Sequence, residues 1–370
     1  MALQPYFDTI VAFGDSFSSQ CGFDTVPTRM RWTDFSHGLH NNLILKDCGL
    51  TGGWNYLNFL SNCTTDSIDP LQCPIKLIDI AHGSAVTYKN PTLFNGIESP
   101  DLSGALQLPG QLAQWNQYVR PELPAKLDRT LGVIWFGIND MHLFQAKNLE
   151  KELESKHATM LENGVSDHID SIGDTVKQLH TDGVRTFMIP NVPLDVDGAA
   201  GLINTWNRML RLRMDNWTDS FDESTFYSFD AYAMFNHFQA YPDQYGFSNI
   251  EDACYTAAQN DSAVDCGDLS SGYLMMDWVH WTAQAHWIMS RLMKESILRS
   301  ISQQRQNQRL LRSMAHLDMT TRRFTAFLAA LIMISISFVL GWLIHRRRVA
   351  ANVRQKYAAI KYEERTVCDG

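Results

Sequence analysis

The sequence predicts an α/β fold built on a mainly parallel sheet, and three observations carry that expectation. Short apolar runs end abruptly at glycine or proline, as in TIVAFGD (9–15) and VRTFMIPNVP (184–193). The run LGVIWFGIND (131–140) lacks polar alternation, which marks a strand buried on both faces. Helical stretches fall between such runs, and strand–helix–strand order demands parallel strands with covering helices.

Taken in order, TIVAFGD is the first expected strand. Residues 50–110 are rich in Gly, Pro, Asn and Cys and read as long loops above the sheet. LGVIWFGIND supplies the next strand. In ATMLENGVSDHIDSIGDTVKQLHTDG (158–183) the apolar positions Val165, Ile169, Ile172, Val176 and Leu179 recur at steps of three and four. That spacing predicts an amphipathic helix, closed near Gly183. VRTFMIPNVP is a third strand, INTWNRMLRLRMDNW (203–217) a second helix, and TFYSFDAY (225–232) a further strand. No internal repeat is present.

Composition bounds the class. The chain has 370 residues, 45% hydrophobic and 19% charged, the balance of a globular protein with a sizeable core. Net charge is −9, while residues 346–370 hold seven Lys/Arg and three Asp/Glu, so the acidic excess lies in the main body. An acidic body argues against a nucleic-acid partner, which needs a basic face. Six of the seven cysteines (Cys21, Cys48, Cys63, Cys73, Cys254, Cys266) lie in that body and Cys368 in the tail. Cys63/Cys73 and Cys254/Cys266 each bracket a short polar loop, a natural place for a disulfide; six buried free thiols are the alternative. No CxxC or HExxH occurs, so no metal site is expected. Sequons stand at Asn62, Asn216 and Asn260.

FTAFLAALIMISISFVLGWLI (324–344) is 21 residues without a charge. At about 1.5 Å per residue it reaches about 31 Å, enough to cross a bilayer. Arg322-Arg323 precede it, HRRR follows, and Trp342 sits at interfacial depth. The expected organisation is a globular domain over 1–300, a polar stalk over 301–323, a transmembrane helix over 324–344 and a basic tail over 345–370. Seven Lys/Arg in 346–365 against five in 304–323 place the tail in the cytosol and the domain in a lumen or outside the cell. No signal peptide is visible before the first strand. A cytosolic, tail-anchored form is therefore the alternative to a start that lacks its leader.

In parallel sheets reactive groups collect at the carboxyl edge of the strands. Ser16 follows the first strand, Gly137–Asp140 (GIND) ends the run VIWF, and Asp277–His280 (DWVH) precedes the last helix of the body. An ester or amide cleaver needs a nucleophile, a base and a group that orients the base. Ser16 supplies the hydroxyl, His280 takes its proton, and Asp277, three residues earlier, fixes the imidazole tautomer. The Asn139 amide and the Ser16 backbone N–H are candidate oxyanion donors, with a third expected from a loop glycine. Asp15 and Asp140 read as loop braces. His37, His40 and His286 read as structural, and Trp32, Trp54, Trp115 and Trp135 as core. Trp54 has a sugar-ring platform as its functional alternative.

These blocks are similar to those of the GDSL or SGNH hydrolases: FGDSFS (Ser16), IAHGSA (Gly83), FGIND (Asn139) and DWVHWTAQAH (Asp277, His280). GGWNYL (52–57), FMIPNVPL (187–194) and YPDQYGFSNIEDACYT (241–256) also resemble the family, most of all its fungal carbohydrate-esterase branch, family sixteen. The resemblance covers about residues 8–298. It implies a three-layer α/β/α fold with a five-stranded, mainly parallel sheet, Gly83 as third oxyanion donor, and no cofactor. Two positions depart from the family pattern. The glycine block reads Gly83-Ser84-Ala85 instead of GGA, and Trp281 stands where proline is common, as a candidate wall of an acyl pocket.

The expected function is a serine esterase working through an acyl-enzyme. The substrate is a small ester or acylated carbohydrate, with acetyl favoured through the family branch, and the membrane is met through 324–344. A lipid acylhydrolase is the alternative within enzymes. A decayed hydrolase scaffold serving as a cell-surface binding module is the alternative outside them.

Overall fold

A computed structural model describes residues 2–19, 50–65, 69–87, 106–146, 158–193 and 200–367. Five strands form one sheet: β1 (Thr9–Gly14), β2 (Lys76–Asp79), β3 (Thr130–Trp135), β4 (Thr186–Pro190) and β5 (Thr225–Phe229). The order is β2–β1–β3–β4–β5 and every pairing is parallel. β1 and β3 lie at the centre, paired from Thr9↔Thr130 to Gly14↔Trp135, and both are buried along their whole length. That burial is why their sequences do not alternate.

Among the described residues the α-helices are α1 (Tyr56–Ser61), α2 (Leu108–Gln114), α3 (Ile138–Ala146), α4 (Ala158–Thr181), α5 (Ala200–Ser220), α6 (Ala231–Ala240), α7 (Cys254–Asn260) and α8 (Ala283–Val367). With right-handed crossovers, the β1→β2 connection crosses the sheet one way and the later connections cross it the other way. α1 therefore covers one face, and α2, α4 and α5 cover the opposite one. α8 joins α1: the Tyr56 N–H donates to His286 Nδ1 at 3.3 Å, and Lys294 Nζ donates to the Phe59 carbonyl. On the other face Arg213 of α5 donates to Ser166 Oγ of α4 at 2.7 Å. This is the α/β fold the sequence predicts.

α4 follows its pattern closely. Val165, Ile169, Ile172, Val176 and Leu179 are all buried. The helix ends at Thr181, and Gly183 adopts a φ of 105° that an L side chain resists, while the Val184 N–H returns to the Leu179 carbonyl. α5 buries Leu202, Ile203, Trp206, Leu210, Met214 and Trp217. Within the unit Met1–Arg299, α8 turns Ala285, Met289, Met293 and Ile297 inward at steps of four.

Two expectations need correction. The stretch 50–110 is not only loops: α1, β2 and the start of α2 lie within it. β2 has just four residues, opens on an exposed lysine and closes on an aspartate. An edge strand of that size has no apolar run to betray it. Asn139 also does not end a strand: β3 stops at Trp135, and Asn139 stands in the first turn of α3. Residues 20–49 and 88–105 lie outside the described residues, so Trp32, His37, His40, Cys21 and Cys48 do too, as does Cys368.

In the second unit, Ser300–Gly370, the window Phe327–Ile344 is long and apolar enough to cross a membrane, with mean hydropathy 2.5 and none of it buried. Ser335 and Ser337 donate to the Leu331 and Met333 carbonyls at 2.9 Å, so their hydroxyls are satisfied within the helix. The Arg346 guanidinium lies 4.9 Å over the Trp342 ring, an arrangement suited to a membrane interface.

Candidate active site

The strand order reverses between β1 and β3, since β1 is followed across the sheet by β2 on one side and β3 on the other. A crevice opens at the carboxyl ends of strands at such a switch point. Ser16 leaves β1 there and Asn139 follows β3 there. The chain tightens directly after β1: the Ser18 and Ser19 N–H groups return to the Asp15 carbonyl, and Asp15 Oδ1 accepts from the Phe17 N–H at 3.0 Å. Ser16 is held in this turn and is 6% exposed.

His280 reaches it from 264 positions away, with Nε2 2.7 Å from Ser16 Oγ. The other ring nitrogen, Nδ1, lies 2.8 Å from Asp277 Oδ2. A carboxylate only accepts, so Nδ1 carries the proton and Nε2 offers its lone pair to the serine hydroxyl. Asp277 Oδ1 accepts from the backbone N–H groups of Val279 and His280, both at 2.7 Å. The turn is closed by the Met276 N–H donating to the His280 carbonyl at 2.7 Å. Burial pushes the Asp277 carboxyl up, but the His280 hydrogen bond and charge, with the two backbone donors, outweigh it and hold the group below the usual carboxylate value. Asp277 is thus kept ionised beside the imidazole.

Asn139 Nδ2 donates to the Ala85 carbonyl at 3.0 Å, which orients the amide; among the described residues its second N–H has no acceptor. The Gly83 loop is drawn against β1 by the His82 N–H donating to the Gly14 carbonyl at 3.0 Å. Ser84 takes a left-handed φ of 62° to turn the chain there. Among the described residues neither the Ser16 nor the Gly83 N–H has an acceptor. Asp140 braces this loop as expected of it: Oδ1 accepts from the Thr87 N–H at 3.0 Å and from Thr87 Oγ1 at 2.7 Å, and His168 Nδ1 stands 2.6 Å away.

Other expectations meet a different outcome. Trp54 is buried, so its ring is no open platform. Trp281 is fully buried and stacks on Phe235 at 5.6 Å with edge contacts to Phe17, so it underlies the site and does not wall it. Trp278, inside the DWVH turn, is instead 75% exposed. Sequence reasoning passed it over, because nothing in four residues tells which of two tryptophans faces solvent. It also passed over Gln111 of α2, whose buried amide pairs with both the N–H and the carbonyl of Gly14, at 3.0 and 2.8 Å. Cys63/Cys73 and Cys254/Cys266 each stand at disulfide distance, with Cα separations of 5.2 and 5.8 Å. His286 is structural, as its Nδ1 accepts from the Tyr56 N–H.

No curated protein matches the chain. The family described as GDSL-like Lipase/Acylhydrolase matches residues 10–293, which include β2 to β5, all of β1 but its first residue, and the site residues Ser16, Gly83, Asn139, Asp277 and His280. With the match covering most of its length, the chain belongs to the GDSL-like lipase/acylhydrolase family and is a serine ester hydrolase.

Proposed function

We propose that Ser16, His280 and Asp277 carry out this hydrolysis through an acyl-enzyme, and the observation that supports the reading is the unbroken relay of 2.7 and 2.8 Å between them. Ser16 Oγ attacks the ester carbonyl as its proton passes to His280 Nε2. The oxyanion forms opposite the N–H groups of Ser16 and Gly83 and the second N–H of Asn139; one such donor is worth about 3–4 kcal/mol. His280 then gives its proton to the departing alkoxide. Water attacks the acyl carbon as its proton passes to the same nitrogen; the bond from carbon to Ser16 Oγ then breaks, Oγ takes the proton back from His280, and the acid leaves.

For substrate we infer a short acyl group on a carbohydrate. Its support is the resemblance to the carbohydrate-esterase branch together with Trp278. That ring is exposed in the turn that also carries the base, where a sugar leaving group can stack against it. A lipid acyl ester is the second reading, favoured by the candidate membrane span. We further infer that the domain lies on the luminal or extracellular side. The two cysteine pairs suit an oxidising compartment, and Asn62, Asn216 and Asn260 are all exposed.

A fluorophosphonate probe tests the mechanism: the wild-type chain is labelled and Ser16→Ala is not. An unlabelled wild-type chain would reduce the protein to a binding module. Nitrophenyl esters of graded length test the acyl group, a peak at acetyl supporting the first reading and a peak at eight carbons or more the second. Trp278→Ala is expected to raise KM for acetylated sugars while leaving KM for nitrophenyl acetate unchanged. Equal KM values for the sugars refute the platform.

A further inference from the structure

The serine relay is only as good as the turn that holds Ser16, and that turn is gripped through Ser18, two residues on. Ser18 Oγ lies 2.8 Å from the Tyr56 hydroxyl, and its carbonyl accepts from Asn55 Nδ2. Ser18 also sits directly on Gly14, where an added Cβ would come within 2.7 Å of Ser18 Oγ. The hydroxyl, the carbonyl and the side-chain carbon of one residue are therefore fixed by three separate neighbours.

Both gripping residues are themselves immobilised. Asn55 is the N-cap of α1: its Oδ1 accepts from the Leu57 and Asn58 N–H groups at 2.9 and 3.3 Å, and its own N–H donates to Asn58 Oδ1 at 3.1 Å. With the oxygen end of the amide committed to the cap, the nitrogen end has to face Ser18. The Tyr56 ring stacks on His286 at 6.0 Å and 21° and meets Trp135 edge-on at 5.3 Å, while its N–H is held by His286 Nδ1. Ser18, Asn55, Tyr56 and His286 are all fully buried. Burying Ser18, Asn55 and the Tyr56 hydroxyl is less favourable than filling the space with apolar side chains unless these groups are paired, as they are here, and that pairing admits one geometry.

We propose that Asn55 and Tyr56 are positioning residues for the nucleophile. Through Ser18 they hold the Ser16 hydroxyl in line with His280, and the start of α1 is part of the catalytic framework without touching substrate. The inference rests on Ser16 being the nucleophile, so labelling of wild type and its loss in Ser16→Ala come first. Failure at that stage removes the functional reading itself.

Tyr56→Phe deletes one oxygen and keeps the ring, and Ser18→Ala deletes the partner oxygen from the other side. Each is expected to lower kcat on nitrophenyl acetate and the rate constant for fluorophosphonate labelling together, by about tenfold or more, as misplacement of a reacting atom does. KM stays within about twofold, and the double variant is no slower than the slower single, because both remove one contact. Labelling rates of the single variants within about twofold of wild type overturn the proposal, as does a double variant in which the two losses multiply. A residue serving stability alone would shift Tm and leave the labelling rate of the folded protein unchanged.

Discussion

The two oxygens of Asp277 divide their work, one closing the turn on the Val279 and His280 N–H groups and the other meeting His280 Nδ1. Asp277→Asn keeps the first role and inverts the second. An amide nitrogen facing Nδ1 forces that atom to accept, which moves the ring proton to Nε2 and removes the base. The expected outcome is a fall in kcat of about 10⁴-fold, as a wrong tautomer produces, with residual turnover and little change in Tm. Retention of full activity would show that the carboxylate does not set the tautomer. Asp15 makes a separate prediction. Burial drives its pKa up to about 8, with the Asp140 charge adding to the rise and the Phe17 N–H opposing it. Between the usual carboxylate value near ~4 and about 8, the folded chain holds a proton that the unfolded chain has lost. Stability therefore falls as pH rises through that window. Asp15→Asn, which keeps an acceptor for Phe17, is expected to flatten the decline in Tm between about pH 5 and 8. His286 works in the opposite direction. Burial and the nearby His280 push it down to about 3, so its share of stability is lost as pH falls from about 6.5 towards 3.

At the level of elements, the junctions after strands matter more than the strands. Gly137 joins β3 to α3 at a φ of 128°, and a Cβ there would lie 2.5 Å from Val192 Cγ2 and 2.9 Å from the Trp206 ring. Gly137→Ala is expected to cost about 1–3 kcal/mol by overpacking, more with the backbone strain added, and to displace Asn139 two residues on. Denaturant melting and kcat measured side by side test both halves of that statement. The pair Cys254–Cys266 bears on the site through α7: the Cys254 and Tyr255 N–H groups hold the Met275 and Met276 carbonyls, immediately before Asp277. Replacing both cysteines by serine opens a loop of 12 positions, worth about 3 kcal/mol, and is expected to lower kcat as well. The matching change at Cys63 and Cys73 is expected to lower stability with a smaller effect on kcat, since Cys63 meets the site only through Asn58 and the cap of α1. The start of α1 was not legible within a stretch whose Gly, Pro, Asn and Cys content reads as loop, and its grip on Ser18 depends on a contact 37 positions apart. β2 was not legible, because four residues at a sheet edge owe their strand state to the neighbour they pair with.

At the scale of the whole molecule, the chain joins an ester-hydrolysing unit, Met1–Arg299, to a second unit carrying one candidate span. The full chain is expected in the membrane fraction after alkaline carbonate washing, and a chain lacking 324–344 in the soluble fraction with its activity on nitrophenyl acetate intact. Carbonate release of the full chain removes the anchor. With the domain on the luminal side, glycosidase treatment of the expressed chain shifts its mobility through Asn62, Asn216 or Asn260, whereas a cytosolic domain shows no shift.

By itself the sequence determined the chemistry on offer and the layers that carry it. Apolar runs and three-four spacing are local patterns, so the main strands and helices could be read from them. Ser16, Asn139, Asp277 and His280 stood out because each follows a strand or precedes the last helix of the body. Only the tertiary structure decided which side chains meet. Burial and distance are properties of the packed sheet and not of neighbours in the chain, which is why it took the fold to send Trp281 inward, leave Trp278 outside, set Tyr56 against Ser18, and bring an imidazole 264 positions along the chain to within 2.7 Å of a serine.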